Sequence, residues 1–179
     1  MASTTSLTPA LPPRIHVLEV MGNAIVGGME TYVARLIERL PRERFNVTAL
    51  CPFESRFTDQ LRKLDVEVLI APMPDDPPWS SIQTACALIR TGNVDVLHAH
   101  LPNAHLLAGL SGRLTGKPVL ATIHGRQLTT LDLEVHRTVG SHLAVVCKQT
   151  YFHAVTMGVN AAQLSCIPNG VDTQLFLPH

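Results

Sequence analysis

The chain has 179 residues, and its 14 Lys and Arg residues balance its 14 Asp and Glu residues, so its formal net charge is zero. That length suits one well-buried domain and is short for two, and the neutral balance gives no electrostatic case for binding nucleic acid. Apolar residues make up 46% of the chain and aromatic residues only 4%, so the predicted core is aliphatic, as in a parallel sheet between helices.

The first predicted unit is a strand, a loop and a helix. Residues 14–21 form an apolar strand, and residues 22–28 form a loop that ends in Gly27 and Gly28. Residues 29–40 then place apolar side chains at helical spacing. Such a unit sets backbone N–H groups and the positive end of a helix dipole at the carboxyl end of a strand, which suits an anionic group such as a phosphate.

Two known phosphate-binding motifs are absent from this loop. A P-loop would need Lys and Ser or Thr where the chain has Gly28 and Met29, and the dinucleotide fingerprint would need a glycine in place of Ala24. The alternative interpretation is that Gly27 and Gly28 only let the chain turn tightly into its helix.

Strands and helices alternate along the rest of the chain. Hydrophobic spacing and helix breakers predict strands at 45–51, 66–71, 94–100, 118–125, 142–147 and 164–167, and helices at 57–64, 80–90, 101–114, 131–139 and 148–157. Ser80 or Ser81 is predicted to cap the helix after the proline-rich loop, and Gly92 with Asn93 to end it. This alternation predicts an α/β fold with one Rossmann-like parallel sheet flanked by helices on both faces.

Polar residues follow several of the predicted strands, at the edge of the sheet where ligands of such folds bind. The first strand leads to Gly27, Gly28 and Glu30, the fourth ends in His98-Ala-His100, the fifth in His124-Gly125-Arg126, and the last in Asn169-Gly170. Gly125 lets the backbone approach a ligand closely. Arg126 offers paired donors for a phosphate or carboxylate.

The histidines leave more than one interpretation open. His98 and His100 are two residues apart and share one face of their strand, and with His124 they could form a three-histidine zinc site. No nearby carboxylate along the chain offers the usual partner that would orient such ligands. His98 is deeper in the strand and is expected to be structural, and His100 is equally open to a structural or a binding role. His124 is expected to be functional, because a glycine and a cation follow it.

The cysteines and the first residues bear on the compartment. Cys51, Cys86, Cys147 and Cys166 form no Cys-x-x-Cys pair and no zinc-ligand spacing, and three of them lie in apolar runs where cysteine acts as a small buried hydrophobe. Residues 1–13 are predicted to be a disordered Ser/Thr/Pro leader without a signal peptide core. A reducing, cytoplasmic compartment is therefore expected, and no segment approaches the ~20 apolar residues of a membrane span.

Four ordered motifs resemble the amino-terminal half of a GT-B glycosyltransferase, with the retaining family four as the nearest match. The motifs are Gly27-Gly-Met-Glu-Thr-Tyr-Val33, Asp95-Val-Leu-His-Ala-His100, Thr122-Ile-His-Gly125 and Ile167-Pro-Asn-Gly-Val-Asp172. The resemblance implies transfer of a sugar from a nucleotide-sugar donor to a lipopolysaccharide, lipid or polysaccharide acceptor. It implies a catalytic place for His124 beside the reacting sugar, and substrate-binding or supporting roles for Gly27, Gly28, Glu30, His100, Gly125, Arg126 and Asn169. The nucleotide-sugar is a co-substrate, and no metal or other cofactor is expected.

The resemblance also implies the domain boundaries. Residues 14–170 are expected to form a Rossmann-like acceptor-side domain, and residues 171–179 the start of a linker to a missing carboxyl-terminal donor-binding domain. We therefore expect a single domain that is inactive alone, from an enzyme that is cytoplasmic or peripheral at the inner face of a membrane. The stretch between Gly125 and His142 is shorter than in many family members. The alternative is a non-catalytic Rossmann-like module that binds a nucleotide or a protein partner.

Overall fold

A computed structural model describes residues 13–171 and residue 173 of the chain. Strands and helices alternate throughout this part, as the sequence predicts. The strands are β1 (Ile15–Met21), β2 (Phe45–Cys51), β3 (Glu67–Ile70), β4 (Val96–His100), β5 (Val119–Ile123), β6 (His142–Val145) and β7 (Leu164–Cys166). The helices are α1 (Gly28–Arg39), α2 (Arg56–Lys63), α3 (Trp79–Thr91), α4 (Pro102–Thr115), α5 (Thr130–Val139) and α6 (Lys148–Thr156), with a short 3-10 helix at Ala161–Gln163. Apart from residue 13, the predicted leader lies outside the described residues, as does the predicted linker apart from residues 171 and 173.

The start of α3 corrects one prediction. Pro78 stands at the cap position and contributes no side-chain hydrogen bond, so neither Ser80 nor Ser81 caps this helix. Ser81 is buried inside the first turn, and its hydroxyl donates to the backbone oxygen of Pro72 at 2.6 Å. The serine therefore ties α3 to the proline-rich loop. Gly92 ends the helix as predicted.

The seven strands form one parallel sheet in the order β3-β2-β1-β4-β5-β6-β7. The direction of strand addition reverses between β1 and β4, and such a reversal opens a crevice outside the carboxyl ends of the two strands. The register of this pair sets Glu19 beside His98 and Met21 beside His100. The histidines of β4 therefore lie at the crevice.

Two clusters of buried aliphatic residues cover the two faces of the sheet. The cluster on one face draws on two helices, with Val33 and Ile37 from α1 and Phe57 and Leu61 from α2. The cluster on the other face draws on four helices, with Ile82 from α3, Leu107 from α4, Leu133 from α5 and Ala154 from α6. Helices therefore pack on both faces as predicted, and the core between the helices and the sheet is mostly aliphatic.

The cysteines are all free, and two of them, Cys51 and Cys86, are buried as predicted. Cys147 differs, because it is partly exposed at the amino-terminal cap of α6. Hydrogen bonds with the Thr150 side chain and with backbone groups of α6 lower the pKa of its thiol.

Among the helices that the structure describes, none combines the length and the hydropathy needed to cross a membrane.

Candidate functional site

A cluster of polar side chains lies where the strand order reverses, at the carboxyl ends of β1, β4 and β5. We call Glu19, His98, His100 and His124 the Glu19 cluster. Glu19 is 1% exposed, His98 6% and His100 0%, whereas His124 is only partly buried. Alternation along β4 turns both of its histidines to the same face, and the register with β1 brings the carboxylate beside them.

A continuous chain of hydrogen bonds runs through the Glu19 cluster. Glu19 Oε2 lies 2.8 Å from His100 Nε2 and 3.1 Å from His98 Nδ1. The second nitrogen of His98, Nε2, lies 2.8 Å from Thr122 Oγ1. The second nitrogen of His100, Nδ1, lies 3.0 Å from His124 Nε2. The buried Glu19 carboxylate is thus connected through the buried His100 ring to His124, which lies at the edge of the crevice, or cleft, outside the strand ends.

Burial dominates the electrostatics of the histidines. It lowers the pKa of His100 to about 4, with help from His98 and against the opposing hydrogen bond with Glu19. Burial, followed by the effects of His100 and His98, likewise lowers the pKa of His124 to about 4. Burial alone would raise the pKa of Glu19, but attraction to His98 and hydrogen bonds with both histidines outweigh it and lower that pKa to about 2. Near neutral pH, Glu19 is therefore ionised, and His100 and His124 are neutral.

The three histidines do not converge on one point, so the alternative three-histidine zinc set does not form. His98 Nδ1 and His100 Nε2 both face Glu19, but His124 contacts the opposite nitrogen of His100. One ion cannot bind both nitrogens of a single ring. The groups that do converge are Glu19, His98 and His100, whose ligand atoms lie within 4.8 Å of one another, and these atoms are already joined to each other at hydrogen-bond distances.

Glu19 is the residue of this site that the sequence analysis missed. Glu19 lies 79 residues before His98 and meets it only through strand pairing, so the pair is not visible along the chain. A signal was present, because an acidic residue inside an otherwise aliphatic strand is rarely buried without a partner. When the fourth predicted strand is placed next to the first, Glu19 and His98 become neighbours.

The loop after β1 is fixed to the start of α4. The Asn103 side chain donates to the backbone oxygens of Gly22 (2.8 Å) and Met73 (2.7 Å), and Gly22 N donates to His100 O at 2.9 Å. Leu101, between β4 and α4, has φ 81° and ψ 154°, a conformation that side chains rarely adopt and that is found mostly at functional sites. This strained residue directs the first turn of α4, with Asn103, toward the loop.

Gly27 and Gly28 differ in what surrounds them. Neither has a positive φ, so the tight-turn interpretation does not account for these glycines. A Cβ on Gly27 would lie 3.0 Å from Glu30 Oε2, whereas a Cβ on Gly28 would meet nothing within 4 Å. Glu30 is 3% exposed, and its Oε1 accepts from Asn23 Nδ2 at 3.0 Å. Glu30 therefore braces the loop, and the open position at the start of α1 is Gly28.

A cavity of about 470 Å³ lies between α1 and residues 169–171. Its lining includes Gly28, Tyr32 and Asn169, so two of the predicted site residues share it. The Tyr32 ring lies 5.0 Å from the His124 ring, centroid to centroid, in an edge-on arrangement. Burial, and then the charge of Glu19, raise the pKa of Tyr32, so its hydroxyl stays protonated. Tyr32 therefore links the cavity to the Glu19 cluster.

The remaining predicted residues lie at the rim. Gly125 and Arg126 are exposed directly after His124, and the backbone oxygen of Gly125 accepts from Thr150 Oγ1 at 2.9 Å. This bond anchors the rim to the start of α6. The structure thus groups His100 with His124 and Gly28 with Asn169. It places Arg126 at the edge, and it buries Glu30 and His100 as supporting residues.

A second buried histidine–carboxylate pair lies away from this cleft. His105 Nδ1 is 3.1 Å from Asp132 Oδ1, and His105 Nε2 is 2.9 Å from Ser141 Oγ. All three residues are buried, and Ser141 precedes β6, at the amino-terminal end of the sheet. The pair joins α4 to α5.

Comparison with known proteins identifies the family to which the chain belongs. A model of Glycosyltransferase Family 4 matches residues 26–175. The chain is 22% identical, over 182 residues, to UDP-Gal:alpha-D-GlcNAc-diphosphoundecaprenol alpha-1,3-galactosyltransferase of Escherichia coli, with 92% of this chain and 47% of that relative covered. It is 27% identical, over 171 residues, to phosphatidyl-myo-inositol mannosyltransferase of Mycolicibacterium smegmatis, with 85% of this chain and 42% of that relative covered. The chain thus spans about half the length of these relatives.

A solved structure agrees with the fold. The crystal structure of a glycosyltransferase from Rickettsia africae superposes with a TM-score of 0.75 at 15% identity, over 90% of this chain and 44% of that protein. At that identity the likeness shows the fold alone. The match to less than half of that protein agrees with the predicted amino-terminal half of a GT-B fold.

Proposed function

The chain belongs to Glycosyltransferase Family 4, and we propose that it is the acceptor-side domain of a retaining hexosyltransferase. The proposed reaction moves a sugar from a nucleotide-sugar donor to an acceptor in a cleft between this domain and a donor-binding domain. The observation that carries the proposal is the family match together with the cleft-edge position of His124, beside the cavity that Gly28 and Asn169 line.

The relatives support a class of donor and acceptor. The Escherichia coli enzyme is named for a UDP-Gal donor and a diphosphoundecaprenol-linked acceptor, and the Mycolicibacterium smegmatis enzyme for a phosphatidyl-myo-inositol acceptor. We therefore propose a UDP-sugar donor and a lipid-linked glycan acceptor for this protein. An enzyme with such an acceptor works at a membrane surface, and we place it peripherally at the cytoplasmic face. Ile25 and Val26, 66% and 57% exposed in the loop before α1, are the apolar side chains best placed for that contact.

The residues of the cleft divide into three proposed roles. His124 contacts the reacting sugar. Gly28, at the positive end of the α1 dipole, and Asn169 contact the substrates in the cavity, and Arg126 at the rim binds an anionic group. The leaving diphosphate is stabilised by fixed dipoles and positive groups, without a metal ion. Because the donor site would lie largely in the second domain, the 179-residue chain alone is inactive in this proposal.

The test uses the protein encoded by the complete reading frame and the 179-residue chain side by side. Radiolabelled UDP-sugars and lipid-linked acceptors are supplied to both, and we expect transfer by the complete protein only. His124→Ala should lower kcat/KM for transfer by about 100-fold or more, which is the effect of removing a positioned catalytic group. The control is His142→Ala, at the start of β6, which should transfer like the wild type.

Two results would count against this proposal. Wild-type turnover in a folded His124→Ala protein would remove His124 from its role. A reading frame that ends at residue 179, with nucleotide binding but no transfer, would support the non-catalytic module instead.

A further inference from the structure

The hydrogen bonds of the Glu19 cluster have fixed directions. An ionised carboxylate can only accept, so the proton between Glu19 Oε2 and His100 Nε2, 2.8 Å apart, belongs to the histidine. A neutral imidazole carries one N–H, which leaves His100 Nδ1 as an acceptor. The proton between His100 Nδ1 and His124 Nε2, 3.0 Å apart, must therefore belong to His124.

We propose that Glu19 is a positioning residue that sets the tautomer of His124 through His100, so that His124 presents an unprotonated Nδ1 to a sugar hydroxyl in the cleft. This inference rests on the proposed sugar transfer for its ligand, but the tautomer of His124 can be tested without it. His124 Nδ1 takes part in no hydrogen bond within residues 13–171, and the ring is partly exposed. The unprotonated His124 Nδ1 is a neutral hydrogen-bond acceptor. It therefore binds a sugar hydroxyl and does not attract the anionic diphosphate.

The neighbouring groups allow this assignment. His98 Nδ1 donates to Glu19 whether or not its other nitrogen is protonated, since Thr122 Oγ1 can donate or accept. Tyr32 on α1 meets the His124 ring edge-on, and its protonated hydroxyl adds no charge. Within residues 13–171, the titratable side chains in contact with His124 are therefore His100 from β4 and Tyr32 from α1, and Glu19 and His98 lie behind His100. If His100 were protonated, both of its nitrogens would donate and the tautomer of His124 would reverse.

The first experiment records long-range 1H–15N NMR spectra of the 179-residue chain with 15N-labelled histidine near neutral pH. We expect the proton on Nε2 in both His100 and His124. Glu19→Met removes the acceptor while keeping a side chain of similar length, and the tautomers of His100 and His124 should then become mixed. Asp132→Asn is the matched control, because it alters the buried His105–Asp132 pair (3.1 Å), which joins α4 to α5 and lies outside the Glu19 cluster. It should leave the His100 and His124 signals unchanged.

The second experiment measures sugar transfer by the complete protein. Glu19→Met should lower kcat by about tenfold, the rate equivalent of one hydrogen bond, and Asp132→Asn should not. A wild-type spectrum with the proton of His124 on Nδ1 would overturn the proposal even if the variants failed to fold. Unchanged tautomers in folded Glu19→Met would overturn it too, and so would an unchanged kcat alongside mixed tautomers. A wild type that transfers no sugar refutes the proposed function, while the spectra still decide the tautomer of His124.

Discussion

We predict that acid destabilises the fold as the pH falls below about 6.5, because His100 is buried in its neutral form. The pKa of His100 is lowered from its ordinary value of 6.5 to about 4, with burial as the first cause. Between these two values the unfolded chain binds a proton at this residue and the folded chain does not. The free energy of unfolding must therefore fall as the pH drops from 6.5 to about 4.

The size of the effect follows from the same two values. The interval from 6.5 to about 4 spans about 2.5 pH units, because 6.5 − 4 = 2.5, and each unit corresponds to about 1.4 kcal/mol. His100 alone should thus remove about 3 kcal/mol, which is a large part of the 5–15 kcal/mol by which domains are typically stable. His124 acts in the same direction. Glu19 adds a separate loss at lower pH, between its ordinary 4.5 and about 2.

The assay is urea unfolding of the 179-residue chain, followed by circular dichroism at half-unit steps from pH 7.5 to 4.5. His100→Gln keeps an N–H donor toward Glu19 Oε2 (2.8 Å from His100 Nε2 in the wild type) and removes the titration, so its slope of stability against pH should be shallower over this range. Equal slopes in the wild type and His100→Gln would refute the reasoning. A wild-type stability that stays flat down to pH 4.5 would refute it as well.

Two further predictions concern packing. Phe57→Ala should lower the free energy of unfolding by about 3–5 kcal/mol, because Phe57 is 0% exposed, whereas Phe152→Ala, at 64% exposure, should change it by about 0.5 kcal/mol or less. Equal losses by urea unfolding would contradict this. Gly22→Ala should cost about 1–3 kcal/mol, because the new Cβ would overlap the Asn103 side chain and lie 2.8 Å from Leu101 Cβ, while Gly28→Ala meets open space and should be neutral or stabilising. A Gly22→Ala protein as stable as Gly28→Ala in the same assay would show that the loop after β1 can shift freely.

Periodicity and helix breakers were sufficient to predict the fold. The aliphatic alternation of residues 45–51 and 164–167, and the glycines that follow α3 and α4, act locally, so they are visible along the chain. The cap of α3 was mispredicted because the Ser81 hydroxyl donates to Pro72, nine residues earlier. That contact depends on how the proline-rich loop folds back, which is not set by the neighbouring residues.

The site was only partly predictable for a related reason. Strand-end position alone was enough to select His100 and His124, because parallel strands bring their carboxyl ends to one edge. The partner of these histidines, Glu19, depends on which strands pair, and the reversal between β1 and β4 is a property of the whole sheet. The buried position of Glu30 depends likewise on its contact with Asn23 in the folded loop.

The Glu19 cluster buries a carboxylate and histidines in a sheet whose other buried side chains are mostly aliphatic. Buried ionised groups of this kind can often be replaced by apolar residues with no loss of stability or with a gain, and β1 and β4 carry Leu18, Val20 and Leu97 at 0% exposure. The strained φ of 81° at Leu101 follows directly after His100, so two unfavourable features coincide at the end of β4. Such features persist where an activity depends on them and are compensated elsewhere in the fold. We therefore infer that the reversal between β1 and β4 gives this domain its chemistry, and that the neighbouring cavity contributes substrate binding.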